Sequence, residues 1–444
     1  MIKQKTQQIL NLLKKTINQP IFKNVLIVGG VSLAIKAVGF YKELIIAQKF
    51  GLSELLDTFL IAMLLPGFIS TVFLGSYSNV FIPNYIAELR RKGNLAAFQS
   101  TSLLITLAIA GFFILITFLF TDVYLSTFFS GHTQHYYDLV TTQLSYILPC
   151  ILIWAISSLF SGLLNIANEF AYSTFSGVFM SLGIIISLVF FSEVLEERVL
   201  VVGVLGGSIT GMFFLLFISI QKKVLFFGRP DFANKNIILM LKQVPVKISS
   251  SLINALNPIV DQYFSAQLVI GSIAALSYGI KVPMLVIGLF GIALSKVLLP
   301  YFSKLTDNLE HAFLKLKKVL SYNFVVCLGI GIVLFLCSEF IVSLLFERQA
   351  FTSEDTQIVY RVQEMYILQI PFYISGMIMS RYLTAINRNS FLVFASSVSL
   401  LLNTWLNFIL IDRMGVLGLA LATSLVSIIN TIVIYTYIVR LNRK

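Results

Sequence analysis

Charge is what this sequence has least of. Only 12% of its 444 residues are Asp, Glu, Lys or Arg, about half the share of an ordinary soluble domain. A chain this poor in charge and 57% hydrophobic cannot present a solvated surface, so its solvent has to be lipid. Cysteine is scarce as well. Cys150, Cys327 and Cys337 lie within apolar segments and show no metal-ligand spacing, which makes them small core residues. Of three histidines, His132 and His135 have a ligand-like spacing, but an exposed polar loop is the plainer reading. No phosphate-binding loop, dinucleotide fingerprint or zinc motif is found. The chain is therefore not expected to be an enzyme or to need a cofactor, and any transport it performs has to draw on a gradient or a partner reaction. Acidic residues are fewer than basic ones, 20 against 32, giving a net charge of +12. In a soluble protein that excess would suggest nucleic acid. Here the basic residues collect in short loops, so no nucleic-acid partner is expected and the bias reads as membrane orientation.

What the sequence does have is a succession of long apolar segments. A spanning helix needs about 20 apolar residues, and stretches of that order recur over 24–47, 56–86, 98–127, 137–167, 171–193, 199–221, 237–265, 271–303, 312–345, 357–386, 389–411 and 415–439. The fold class expected is an all-α polytopic membrane protein with about twelve transmembrane helices. Basic residues alternate between loops. They occupy the N-terminal tail, Arg90 to Lys92, the 222–235 loop, Lys304 to Lys318 and the C-terminal tail, while 193–198 is acidic. Both termini are therefore expected on the cytoplasmic side. Residues 1–23 are basic and amphipathic without a cleavage site, and predict an interfacial helix on that face.

The chain repeats itself. Ser78 to Pro83 corresponds to Ser295 to Pro300, Gly203-Val204-Leu205-Gly206 to Gly415-Val416-Leu417-Gly418, and Leu164 with Asn168 to Leu383 with Asn387. The offsets are 217, 212 and 219 residues. This predicts two pseudo-symmetric six-helix halves, 24–222 and 237–444, joined by a cytoplasmic linker at 223–236. Halves of six helices insert in the same orientation, and a substrate site is expected between them.

Charges inside apolar segments carry the functional signal. Lys36 falls near mid-span, where a charge costs roughly 2.5–3.5 kcal/mol on insertion scales, and its stem is short for reaching either surface. Lys42, Glu43 and Asp57 lie nearer the outer end. They read either as cavity residues or as an interfacial ion network, with Glu43 and Asp57 restraining Lys42 and Lys36. In the second half Lys281 lies within the eighth span, followed by Pro283. Lysines lining a cavity suit a phosphate-bearing anion, a diphosphate above all. A second group is Asp261 with Asn403, Asn407 and Thr423. Asn403 and Asn407 share one helix face. Their oxygens suit a hard cation, and interhelical hydrogen bonding is the alternative.

The stretch Val38-Gly39-Phe40-Tyr41-Lys42-Glu43, with Ala47, Phe50-Gly51, Ser53 and Asp57-Thr58-Phe59, resembles the start of MurJ/MviN-type proteins of the multidrug/oligosaccharidyl-lipid/polysaccharide (MOP) exporter superfamily. Phe290-Gly291-Ile292-Ala293-Leu294 through Pro300 resembles that family's eighth helix. The resemblance covers nearly the whole chain. It implies a MOP-type fold and a flippase acting by alternating access in the bacterial inner membrane. The substrate implied is an undecaprenyl-diphosphate-linked glycan precursor, above all lipid II for peptidoglycan synthesis. It further implies that Lys36, Lys42 and Lys281, where arginine is usual, meet the lipid diphosphate. A monovalent cation such as Na+, the implied coupling ion, would be held by Asp261, Asn403, Asn407, the backbone at Leu419, and Thr423. The partners expected are the lipid-linked substrate and membrane lipids, with the chain a monomer. Three departures stand out. Ser70-Thr71 replaces a usual basic pair, Asn407 replaces a usual acid, and the sequence carries twelve spans where fourteen are common. A flippase for O-antigen or capsule units, a cation-coupled multidrug exporter and a non-transporting scaffold are the alternatives. The scaffold reading makes Lys36 and Lys281 dispensable.

Overall fold

The computed structural model describes residues 20–305 and 308–442, and their side chains from Gly29 onward except at positions 250, 254, 292, 293, 295 and 296. Most of the amphipathic N-terminal segment, residues 1–19, lies outside the described residues. The helices are α1 (Pro20–Phe50), α2 (Glu54–Ile69), α3 (Gly75–Arg90), α4 (Leu95–Phe128), α5 (Gln134–Ile166), α6 (Phe170–Phe175), α7 (Val178–Phe190), α8 (Ser192–Leu195) and α9 (Val199–Gln221). They continue with α10 (Lys235–Ser265), α11 (Ser272–Gly279), α12 (Lys281–Ser303), α13 (Leu309–Leu336), α14 (Ser338–Phe346), α15 (Ser353–Ile367), α16 (Ile370–Ala385), α17 (Asn389–Met414) and α18 (Val416–Leu441). Among the described residues there is no strand beyond an isolated bridge between Arg348 and Phe351. Each of the twelve spans expected from the sequence falls on helix. Nine helical stretches among the described residues are long and apolar enough to cross a membrane. In lipid every backbone group must be satisfied internally, which is why an apolar chain of this kind resolves into helices.

The chain divides into two compact units that do not follow sequence order. One holds residues 1–45, 62–122 and 138–248, and the other 46–61, 123–137 and 249–444. The first unit packs a core around Tyr77, Phe81, Tyr85 and Phe98, joined by Leu159, Leu163 and Met240. Its α7 and α9 lie against each other along their length. The expected linker is fastened down within this unit. Asn234 and Asn236 donate to the buried Glu88 carboxylate. Gln99 donates to Val224 O and accepts from Phe226 N. The second unit packs its core on Phe302, Leu316, Ile370, Ile374, Ile378 and Tyr382.

The internal repeat is visible at the helix ends. Asn168 and Asn387 both take the left-handed backbone, with φ of 63° and 58°. Each helix closes with the same pair of bonds. Asn168 N donates to Asn165 O at 3.1 Å and Glu169 N to Leu164 O at 2.8 Å; Asn387 N donates to Thr384 O at 3.1 Å and Arg388 N to Leu383 O at 2.8 Å. This is the Schellman closure, for which asparagine is the usual substitute for glycine. Pro83 and Pro300, also matched in the repeat, both sit inside continuing helices and face outward.

Two sequence expectations are corrected. Cys150 and Cys327 are buried, but Cys337 is exposed at the junction of α13 and α14. His132 is a packed residue rather than a free loop side chain. Its ring stacks on Tyr136 at 4.0 Å, and Nε2 lies 2.8 Å from Ala266 O.

Candidate functional site

Lys36 sits near the middle of α1, and its side chain is exposed. Lys42, six residues on, is half-buried, and its Nζ lies 2.8 Å from Glu43 Oε1. Lys281 is half-buried at the first position of α12.

Asp57 does something else. It is 2% exposed, and its two oxygens accept 2.7 Å hydrogen bonds from Gly271 N and Ala274 N. The expectation that Asp57 restrains a lysine is therefore corrected: the carboxylate caps the start of α11. The reason is local. The first N–H groups of a helix lack intrahelical acceptors, and that end favours negative charge. Gly271, just ahead of α11, has φ +91°, and a Cβ there would lie 2.8 Å from Leu52 O. Only glycine allows the backbone to come this close while turning left-handed. No sequence signal sets residue 57 beside residue 271, so the cap shows only in the structure.

A second feature missed by sequence reasoning lies at Ser70-Thr71. After Pro66 the helix widens, and residues Ser70–Leu74 form a π-helical turn in which Gly75 N donates to Ser70 O. Proline removes one backbone donor and crowds the preceding turn, and single π turns within helices are frequent at functional sites. Thr71 is exposed on this turn.

The oxygen cluster does converge. It lies wholly in the second unit, with Asp261 from α10, Asn403 and Asn407 from α17, and Thr423 from α18. Asn407 Nδ2 donates to Asp261 Oδ1 at 2.8 Å and to Asn403 Oδ1 at 3.2 Å. Thr423 Oγ1 lies 3.4 Å from Asp261 Oδ2 and 3.2 Å from Leu419 O. Asn403 and Asn407 are buried. Asn407 Oδ1 is buried without a hydrogen-bond partner. A half-turn of that amide exchanges its nitrogen for this oxygen, leaving carboxylate, amide, hydroxyl and carbonyl oxygens around one point. Such a donor set fits a hard monovalent cation. The cluster opens onto a cavity of about 640 Å³ within the same unit.

Residues 46–443 match the family model of the lipid II flippase MurJ. This chain belongs to that family. It is a multi-pass membrane protein of a flippase family with the MOP fold. It is 27% identical over 426 residues to a probable lipid II flippase MurJ of Buchnera aphidicola subsp. Schizaphis graminum, covering 94% of this chain and 82% of that protein. To the probable lipid II flippase MurJ of Thermotoga maritima it is 26% identical over 399 residues, covering 88% and 79%. Among solved structures, a lipid II flippase MurJ in an inward closed conformation superposes with a TM-score of 0.82 at 24% identity, over 93% of this chain and 87% of that one. An inward-facing multidrug transporter of the MOP superfamily matches at 0.67 and 12% identity, over 95% and 99%.

Proposed function

We propose that this chain carries lipid II, an undecaprenyl-diphosphate-linked glycan, across the bacterial inner membrane by alternating access, with both termini in the cytoplasm. The observation that carries the reading is the family match over 46–443. The charge distribution agrees with it. Lys36, in the middle of an apolar helix, would be costly facing hydrocarbon, and a diphosphate supplies the countercharge. Lys42 and Lys281 add positive charge to the same task, as point charges suited to phosphate oxygens. Glu43 holds Lys42 at 2.8 Å, and a bound diphosphate competes with it for the ammonium. The polar Ser70-Thr71 pair favours one second reading, a different lipid-linked glycan handled by the same mechanism.

Na+ as coupling ion would be held by Asp261, Asn403, Asn407, Thr423 and Leu419 O. An ion there ties α10 to α17 and α18, and it can bias access only by its differential affinity for the two states. Asp261 supplies the full negative charge of that set. Asp261→Asn should therefore remove sodium-specific thermal stabilisation, worth about 2.7 kcal/mol at a hundredfold excess over Kd. Sodium, potassium and choline are compared at equal ionic strength. An identical response of wild type and variant to all three rules the ion out.

The function itself is tested by complementation. Wild type should restore growth to cells depleted of their lipid II flippase, and Lys36→Ala should not, although it inserts at equal level. Failure of well-inserted wild type would shift the assignment to another lipid-linked glycan, and full rescue by Lys36→Ala would remove Lys36 from the substrate site.

A further inference from the structure

The cavity beside Asp261 is larger than a cation site requires. It runs along α16 from Gln369 to Thr384, roughly 22 Å at 1.5 Å per residue. Helices α16 and α18 run in parallel beside it. Ser427 Oγ donates to Gln369 Oε1, Thr431 Oγ1 to Phe372 O, and Tyr382 lies by Asn442 at their far ends. Asp261 and Thr423 therefore sit at one end of the cavity. Arg381 and Thr384 sit at the other, level with the C-terminal end of α18.

Its walls, apolar in part, carry several polar groups. Asn257 Oδ1, Asn430 Oδ1 and Gln369 Nε2 are buried groups without a hydrogen-bond partner, and all three residues line this space. Buried polar groups are nearly always satisfied, and in hydrocarbon each one left bare costs several kcal/mol. A void of about 640 Å³ with such walls has both the room and the partners that water needs. Two of the three bare atoms are amide oxygens, acceptors of the kind that replace the hydration shell of a hard cation.

We infer that this cavity is a water-filled passage through the second unit, by which a monovalent cation travels between Asp261 and the membrane face that carries the C-terminus. Asn257 and Asn430 serve as intermediate oxygen ligands along the way. Arg381 stands at the mouth, far from Asp261. The inference rests on the cation site proposed above and adds a route and a side to it. The ion reaches its site through the interior of one unit, independently of the path that the lipid takes.

The test is thiol accessibility. The exposed Cys337 is replaced by Ala; the buried Cys150 and Cys327 stay as the unreactive background. Single cysteines are introduced by Ser427→Cys in mid-passage, Thr384→Cys at the mouth and Leu401→Cys on the exposed face of α17. A membrane-impermeant, cationic methanethiosulfonate is then added to sealed vesicles of either orientation. Ser427→Cys and Thr384→Cys should be labelled only from the face bearing the C-terminus, at least tenfold faster than Leu401→Cys. Sodium should slow labelling of Ser427→Cys several-fold, and that protection should vanish when Asp261→Asn is added. Labelling of Ser427→Cys no faster than the background, while sodium still stabilises wild type, overturns the passage and leaves the cation site standing. Rapid labelling that sodium does not alter overturns the cation assignment, for passage and site together. Labelling from the opposite face overturns the side.

Discussion

The two closing helix pairs of the chain, α7 with α9 and α17 with α18, have matching sequence positions and opposite interiors. In the first pair the backbones touch. A Cβ at Gly203 would lie 2.6 Å from Ile184 Cα, and one at Gly183 would lie 2.6 Å from Gly207 Cα. Small residues at such a seam let helices approach closely in lipid, where packing rather than hydrophobic burial drives association. In the second pair Gly418 makes the same kind of approach, to Leu410, but beyond it the seam carries Asn403, Asn407 and Thr423 and opens into the cavity. Even the repeated glycines diverge. Gly203 lies inside α9, whereas Gly415 precedes α18 with φ +55°. One pair is closed through glycine, and the other carries amide and hydroxyl side chains beside the cavity.

The glycine seam has no room for a side chain. Gly207→Leu should have the largest effect, because its Cβ would sit 2.7 Å from Met180 Cα and backbone cannot yield as a side chain can. A cost of about 3 kcal/mol or more is expected, seen as loss of monodisperse protein in size-exclusion chromatography. Ser399→Leu, beside the cavity, should leave the protein monodisperse. Equal tolerance of both would dissolve the contrast between sealed and open pairs.

The acids Asp57 and Glu43 should differ as well. Asp57→Ala strips two acceptors from the start of α11 and should cost about 2 kcal/mol, lowering the melting temperature. Glu43→Gln, which loses one partly exposed ion pair, should cost well under that. A larger drop for Glu43→Gln would reverse the roles assigned to the two acids.

The smallest effect tests where the units agree. Asn168→Ala and Asn387→Ala each place a Cβ residue without a local hydrogen-bonding side chain in the left-handed region, at about 1 kcal/mol. The two melting-temperature shifts should match, since the closures match bond for bond. A clear difference would mean that the repeat is one of sequence alone.

Much of this was legible in advance. Span positions follow from apolar length, and the repeat from Leu164 and Asn168 against Leu383 and Asn387. The convergence of Asp261, Asn403, Asn407 and Thr423 followed from helical spacing together with family resemblance. The cap by Asp57 was illegible because it joins residues more than 200 positions apart through main-chain atoms, which carry no side-chain signature. The cavity was illegible for a related reason: Asn257, Gln369 and Asn430 come from separate helices, and each alone reads as an ordinary interhelical hydrogen bonder. Cys337 was misplaced because an apolar neighbourhood in lipid does not imply burial in protein.

Transport of lipid II is read from the appearance of that lipid on the outer leaflet. In cells whose sole flippase is this chain, lipid II should become accessible to an externally added degrading enzyme. With Lys36→Ala present at equal membrane abundance, it should stay protected inside. Lipid II that remains protected in cells making wild-type protein would rule out its transport by this chain.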